Sequence, residues 1–243
     1  MQKMMGLVRR CIEDYNMIEA GDRVAVGVSG GKDSLTLLVV LAALREYYPM
    51  KLRSCRPVGR HGPRRHGLSP VAELARLNVP YIVKKTEIGP IIFDYRKEKN
   101  PCSMCAKMRR GAGTTWMREQ GYNKIALGHH YDDAVETFLM SLLYEGRISC
   151  FEPVTYLSRT GITQIRLMLY VGEQAVTRFA AREQLPVVHN TCPADKHPKR
   201  QEVKELIAAL QALQYPDLKT KIFWRDAAPP LPQWGHFGRE KPE

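Results

Sequence analysis

The sequence contains no apolar run of the roughly 18 residues that a bilayer-spanning helix needs, so it reads as a chain outside the membrane. A secretory leader is missing too: Met1-Gln2-Lys3-Met4-Met5-Gly6-Leu7-Val8-Arg9-Arg10 has neither a long apolar core nor a small-residue cleavage site. Cysteine is scarce for 243 residues: Cys11, Cys55, Cys102, Cys105, Cys150 and Cys192 are too few and too unevenly placed for a disulfide scaffold. These absences point to the cytoplasm, where Cys102 and Cys105, a C-x-x-C pair, need another explanation. Acids are in short supply, with 25 Asp and Glu against 37 Lys and Arg, a net charge of +12. Such an excess suits a polyanionic partner, because neutralising phosphates releases counterions. It equally suits a basic solubilising surface. With 44% hydrophobic and 26% charged residues the composition is that of a folded protein, with room for one large α/β domain and a small appendage.

No internal repeat is visible. Met4 to Glu19 carries Leu7, Val8, Cys11, Ile12 and Tyr15 at helical spacing. Gly21-Asp22 turns the chain into Arg23–Val28, an apolar run suited to a buried parallel strand, and Leu35 to Tyr47 follows as a helix. Further strands are predicted at Tyr81–Val83, Lys124–Leu127 and Pro186–Val188, with Gln164–Tyr170 weaker. Helical patterns occupy Pro70–Leu77, Ser103–Gln120, Asp132–Tyr144, Gly172–Gln184 and Lys199–Leu213. Strands alternating with helices predict an α/β fold, a Rossmann-like parallel sheet with helices on both faces. The expected division is an N-terminal helix (1–20), a main domain (21–195), a helical extension (196–224) and a flexible tail (225–243).

One stretch breaks the alternation. A second strand is due near 51–58, yet residues 51–67 hold six Lys and Arg, two histidines and no acid, with almost nothing to bury. A basic nucleic-acid-binding loop is one reading, a solvated flexible loop another, and a segment read out of frame a third.

Ser29-Gly30-Gly31-Lys32-Asp33-Ser34 follows the first strand and opens a helix. It matches neither the Walker P-loop nor the G-x-G-x-x-G spacing. Its physics is still that of an anion cradle: two glycines permit close backbone approach, the helix start presents free N–H groups, and Lys32 adds a point charge. A plain strand-to-helix turn is the simpler alternative.

Gly128-His129-His130-Tyr131-Asp132-Asp133-Ala134-Val135-Glu136-Thr137 lies at the end of the Lys124–Leu127 strand. Asp132 and Asp133 sit where a helix begins, and Glu136 lies one turn on from Asp132. That face could hold Mg²⁺ beside phosphates, or the aspartates could simply cap the helix. Pro101-Cys102-Ser103-Met104-Cys105 places two thiols at the start of a predicted helix, where the dipole and nearby cations favour thiolate. Cys192 follows the Pro186–Val188 strand and could meet them, since parallel strands end on one face. A C-x-x-C alone also fits a redox pair, half a zinc site or two core cysteines; three cysteines suit a [4Fe–4S] cluster with one open iron.

Val-Ser-Gly-Gly-Lys-Asp-Ser resembles the PP-loop of the ATP pyrophosphatase superfamily, which splits ATP between the α and β phosphates. The Gly-His-His-x-Asp-Asp-x-x-Glu-Thr string resembles the second signature of its tRNA-modifying members. With the thiols in this order the chain resembles the tRNA 2-thiocytidine synthetase (TtcA) family. The resemblance implies a five-stranded parallel sheet and an ATP-dependent sulfurtransferase that adenylates and thiolates cytidine 32 in a tRNA anticodon loop. By it, Ser29, Gly30, Gly31, Lys32, Asp33, Ser34, Gly128 and His129 hold ATP; Lys32, Asp33, Asp132 and Asp133 serve catalysis; Asp132 and Asp133 face Mg²⁺. Cys102, Cys105 and Cys192 hold a [4Fe–4S] cluster, with Cys11 and Cys150 left as buried small hydrophobes. Lys107, Arg109 and Arg110 are expected to meet tRNA phosphates, or to form a solvated helix face. A sulfur donor such as a cysteine desulfurase is implied, and a homodimer stays open. Rival functions are 2-thiouridine or lysidine synthesis by a related enzyme, and a non-catalytic ATP-binding iron–sulfur protein. The chain departs from the family at 51–67, where the second strand and part of the adenosine pocket belong.

Overall fold

Val24, Ala25 and Val26 are buried on both faces of the first strand, β1 (Arg23–Gly27), as a central strand requires. Val24 and Val26 join the main core, while Ala25 packs with Met117, Tyr122, Ile125 and Ile162 on the other face. The computed structural model describes residues 1–48, 51–59, 77–96, 101–188 and 198–223. Around β1 lie β2 (Lys51–Gly59), β3 (Tyr81–Thr86), β4 (Lys124–Ala126), β5 (Val154–Leu157) and β6 (Ile162–Ile165), in the order β3-β2-β1-β4-β6-β5. Neighbours run parallel except β5, which pairs antiparallel with β6. The expected all-parallel five-stranded sheet is thus corrected to a mixed six-stranded one, because the hairpin β5–β6 adds an edge that needs no crossover helix.

The described helices of six residues or more are α1 (Gln2–Asp14), α2 (Lys32–Leu44), α3 (Pro101–Glu119), α4 (Tyr131–Glu145), α5 (Glu173–Arg182), α6 (Pro198–Leu213) and α7 (Leu218–Phe223). In α1, Met4, Val8, Cys11 and Ile12 form the buried stripe. Helix α2 is apolar nearly all round and is buried almost throughout, with α1 and α5 packed against it. Helix α3 contacts β2 and β6 and carries Met117 into the second core. The result is the expected Rossmann-like α/β architecture. No described helix is long and apolar enough to cross a membrane.

Two expectations fail. Lys51–Gly59 is a strand, with Arg53 opposite Ala25 and Ser54 opposite Val26, so the loop readings do not hold for these nine residues. Hydrogen-bonded ladders on both sides specify it, where its side chains give no apolar alternation; Arg53 stacks over Tyr122 at 5.6 Å. Residues 60–67, the predicted helix at 70–76 and the tail 225–243 lie outside the described residues. Pro186–Val188 is no strand, because β6 already occupies the place beside β4. The stretch runs over the glycine-rich turn, where the Val188 N–H donates to the Gly30 carbonyl at 2.9 Å. The weaker strand candidate Gln164–Tyr170 is displaced: the strand is Ile162–Ile165, overlapping it only at Gln164 and Ile165, with Met168 bridging to His130 beyond.

Candidate functional site

Strand order reverses at β1: β2 and β3 lie to one side, β4 and β6 to the other. A crevice between two diverging connections forms at such a point, beyond the carboxyl ends of the strands. The turn Ser29–Gly31 leaves β1 here and Leu127–His130 leaves β4, so the first two sequence motifs meet at the position their chemistry needs.

The turn is built from its own hydroxyls. Ser34 Oγ accepts from the Ser29 N–H at 3.1 Å, lies 3.0 Å from Ser29 Oγ and donates to the Gly31 carbonyl at 3.0 Å. Gly30 adopts φ +93, a conformation that favours glycine, and Gly31 caps α2 in extended geometry with no side-chain cap on the helix. The uncapped helix start leaves backbone N–H groups aimed outward, which fits a phosphate. Gly128 is required by proximity: a Cβ there would stand 3.0 Å from Ser34 N and 3.1 Å from the Asp33 carbonyl carbon. The two motifs touch through backbone.

Charged side chains surround this contact. Lys32 Nζ donates to Asp33 Oδ1 at 2.7 Å and to Glu173 Oε1 at 3.1 Å. Burial works to lower the Lys32 pKa, but Asp33 and Glu173 together hold it above its ordinary value. Asp133 Oδ2 accepts the His130 N–H at 3.0 Å in a reciprocal cap of α4, and its Oδ1 accepts Arg200 Nη1 at 3.0 Å. Asp132 is buried, with Oδ2 on the Glu173 N–H at 2.6 Å and Oδ1 on Lys219 Nζ at 2.6 Å; it caps α5 and anchors α7. Glu136 is also buried; burial raises its pKa although Lys204 and Arg200 lower it. Glu173 is more open: burial raises its pKa, yet Lys204 and Lys32 pull it down to about 2.

The histidine pair divides. His130 is buried, with Nε2 3.7 Å from Asp33 Oδ1 and 3.5 Å from Asp133 Oδ2. His129, the one expected to hold ATP, faces the other way onto Phe151, with ring centroids 5.0 Å apart. Burial and the neighbouring Arg166 lower its pKa to about 4, so it is neutral near pH 7. Arg166 lies 4.9 Å over the Phe151 ring and donates to Thr155 Oγ1 at 3.0 Å and to the Glu152 carbonyl. Its own pKa falls to about 10, through burial foremost.

Among the predicted site residues the structure brings together Ser29–Ser34, Gly128, Asp132 and Asp133. Cys105 is half-buried near the start of α3 and unbridged, while the Cys102 side chain and Cys192 lie outside the described residues. Lys107, Arg109 and Arg110 are exposed on the turns of α3 after Cys105. Cys11 and Cys150 are held as thiols, Cys11 shifted up by burial and Cys150 pushed up to about 12 by the same cause; neither suits a ligand. Among the described residues no group of three or more His, Cys, Asp or Glu is arranged to hold a metal ion. Of the acids, Asp33 and Asp133 remain half-exposed at the turn and fit a hard cation better than the buried Asp132.

Sequence reasoning missed His130, Glu173, Arg200, Lys204 and Lys219. Glu173 carried a weak signal, an acid opening a helix after Gly172. Arg200 and Lys204 carried another, two cations one helical turn apart.

The PP-loop domain family matches residues 5–210. The tRNA-cytidine(32) 2-sulfurtransferase of Geobacter metallireducens is 38% identical over 218 residues, covering 86% of this chain and 83% of that protein. The enzyme of the same name from Legionella pneumophila is 33% identical over 247 residues, covering 92% and 85%. In fold, the chain is similar to the U34-tRNA thiolase NcsA from Methanococcus maripaludis, solved with its [4Fe–4S] cluster. The TM-score is 0.71 at 21% identity, covering 89% of this chain and 75% of that one.

Proposed function

The chain belongs to the tRNA-cytidine(32) 2-sulfurtransferase family of PP-loop proteins, and on that premise we propose that it is an ATP-dependent sulfurtransferase acting in the cytoplasm on cytidine 32 of tRNA. The observation that carries the reading is the junction of three segments at one crevice. The turn Ser29–Ser34 meets Gly128 through backbone, and Val188, four residues ahead of Cys192, donates to Gly30.

ATP enters with its phosphates over the start of α2, where the N–H groups, Lys32 and the Ser29 and Ser34 hydroxyls meet oxygen ligands. The C2 oxygen of the cytosine attacks the α-phosphorus, the bond to the β-phosphate oxygen breaks, and pyrophosphate leaves. Lys32 and the helix start stabilise the charge that develops on the leaving group. Asp33 and Asp133 would hold Mg²⁺, which offsets phosphate charge. His130 lies between these two carboxylates and orients them. A [4Fe–4S] cluster on Cys102, Cys105 and Cys192 would supply the sulfur that replaces AMP at C2. The base must leave its stack to reach this cavity, which an anticodon loop permits. Lys107, Arg109 and Arg110, exposed beside the thiols, meet the tRNA backbone. Helix α6 and α7 close the phosphate side from the C-terminal extension.

Anaerobic reconstitution tests this. The full chain turns brown with the absorbance of an iron–sulfur chromophore and thiolates tRNA in the presence of ATP, and Cys102→Ala removes both colour and thiolation. Thiolation retained by a colourless variant lacking all three thiols would contradict the reading.

A further inference from the structure

Helix α6 is pinned to the body by Val203 and Ile207, both buried, and by the Tyr144 hydroxyl, 2.6 Å from Glu202 Oε2. Arg200 and Lys204 share the neighbouring face one turn apart, so the packing that fixes the helix also fixes where these two cations point. Both end on carboxylates in the first turns of α4 and α5. Arg200 Nη1 donates to Asp133 Oδ1 at 3.0 Å and to Glu136 Oε2 at 2.9 Å. Lys204 Nζ lies 3.1 Å from Glu173 Oε2 and 3.6 Å from Glu136 Oε1.

Glu173 is the informative partner. One of its oxygens accepts from Lys32, the lysine of the phosphate turn, and the other from Lys204. A carboxylate and one edge of a phosphate present two oxygens at similar spacing, and two ammonium groups gripping one such edge form an anion site with an internal carboxylate in it. Four cations (Lys32, Arg200, Lys204 and Lys219) here face five carboxylates (Asp33, Asp132, Asp133, Glu136 and Glu173). So acidic a rim would repel a polyphosphate unless cations turned from carboxylate to phosphate. Arg200 and Lys204 are free to do so: their side chains are 36% and 37% exposed. Lys219 is different, because its partner Asp132 is buried and caps α5 with its other oxygen.

We infer that Arg200 and Lys204 are ligands of the phosphate tail of ATP and of the pyrophosphate it releases, exchanging for phosphate the carboxylates they now hold: Asp133 and Glu136 for Arg200, Glu173 and Glu136 for Lys204. The inference rests on the sulfurtransferase reading and extends it to a second wall of the phosphate site, supplied by a helix about 170 residues after the turn. Lys32 grips the tail from the sheet side. Arg200 and Lys204 grip it from the C-terminal side. Lys219 serves the fold.

Calorimetric titration of the cluster-loaded full chain with ATP, inorganic pyrophosphate and AMP tests this. Arg200→Gln and Lys204→Gln each weaken pyrophosphate and ATP about tenfold and leave AMP within about twofold. Arg200→Lys recovers part of the loss. Glu173→Gln, titrated with pyrophosphate in metal-free buffer, tightens binding by releasing both lysines. Lys219→Gln lowers the melting temperature without changing the ratio of pyrophosphate to AMP affinity. Equal losses for AMP and pyrophosphate in the Arg200 and Lys204 variants, or no loss at all, overturn the inference and leave the sulfurtransferase reading standing. A wild-type chain that binds none of the three ligands takes down both.

Discussion

His129 and His130 are adjacent in the chain and live in opposite surroundings. His130 lies among Asp33, Asp132 and Asp133, where nearly every charge has a partner and several stay half-open to solvent. His129 lies against Phe151 and Arg166; its Nδ1 and Arg166 Nε, like His130 Nδ1 across the turn, are buried without hydrogen-bond partners among the described residues. The contrast divides the crevice into a network of paired charges on the phosphate side and a half-buried aromatic wall carrying Arg166 on the other. On the first side, pairing overcomes burial at Glu173, which falls to about 2, but not at the more deeply buried Glu136, which stays raised. On the second, burial wins: His129 falls to about 4 and Cys150 rises to about 12. A reaction that moves charge on phosphates and substitutes at a base has use for both.

The largest effect that sharpens this division is expected at Lys32. Lys32→Met removes the point charge from the phosphate side and lowers tRNA-dependent AMP and pyrophosphate formation about 10²–10³-fold, with a melting temperature close to wild type. A loss of less than about tenfold would mean that the wall holding Phe151 and Arg166 governs the rate.

A smaller effect is expected at His129. Its proton is bound in the unfolded chain near the ordinary 6.5 but in the fold only near 4, so stability present above 6.5 is lost as pH falls toward 4. Between pH 7 and 5 the wild type loses about 1–2 kcal/mol on this account, and His129→Gln flattens that slope in denaturant titrations at several pH values. An unchanged slope would contradict the lowered His129 pKa.

Glu173 supplies the smallest effect and the opposite cause. Its folded pKa lies below the unfolded value of 4.5, so its contribution is complete above about 4.5 and is lost as pH falls through about 2. Glu173→Gln costs about 1 kcal/mol at neutral pH, after solvent screening of a partly exposed group, and the difference from wild type closes on acidification. A difference that grows in acid would reverse the assignment.

The site was readable where local chemistry and local geometry coincide. Strand, glycine turn and helix over residues 23–44 follow from an apolar run, two glycines and a helical apolar pattern, and the carboxylates of Asp132 and Asp133 fall at a helix start as their spacing requires. Legibility fails where the cause is distant. Strand β2 has basic side chains, and its specification comes from β1 and β3. Strand β5 offers Tyr156 to solvent and exists by pairing with β6. Pro186–Val188 has the residues of a strand, but no sheet edge remains for it beside β4. His130 was obscured by an equally plausible neighbour, since only the register of the turn after β4 decides which ring meets Asp33. Arg200, Lys204 and Lys219 reach the carboxylates of Asp133, Glu173 and Asp132 through tertiary packing of α6 and α7, which no local window contains.

The central claim is that nucleotide activation and sulfur transfer to one base occur in the same crevice. Its most direct measurement is mass spectrometry of nucleosides from unmodified tRNA incubated anaerobically with the reconstituted chain, ATP and a sulfur source. The account expects 2-thiocytidine at position 32, accompanied by AMP and pyrophosphate. Pyrophosphate released with every cytidine left unthiolated, or sulfur found on a uridine instead, would contradict it.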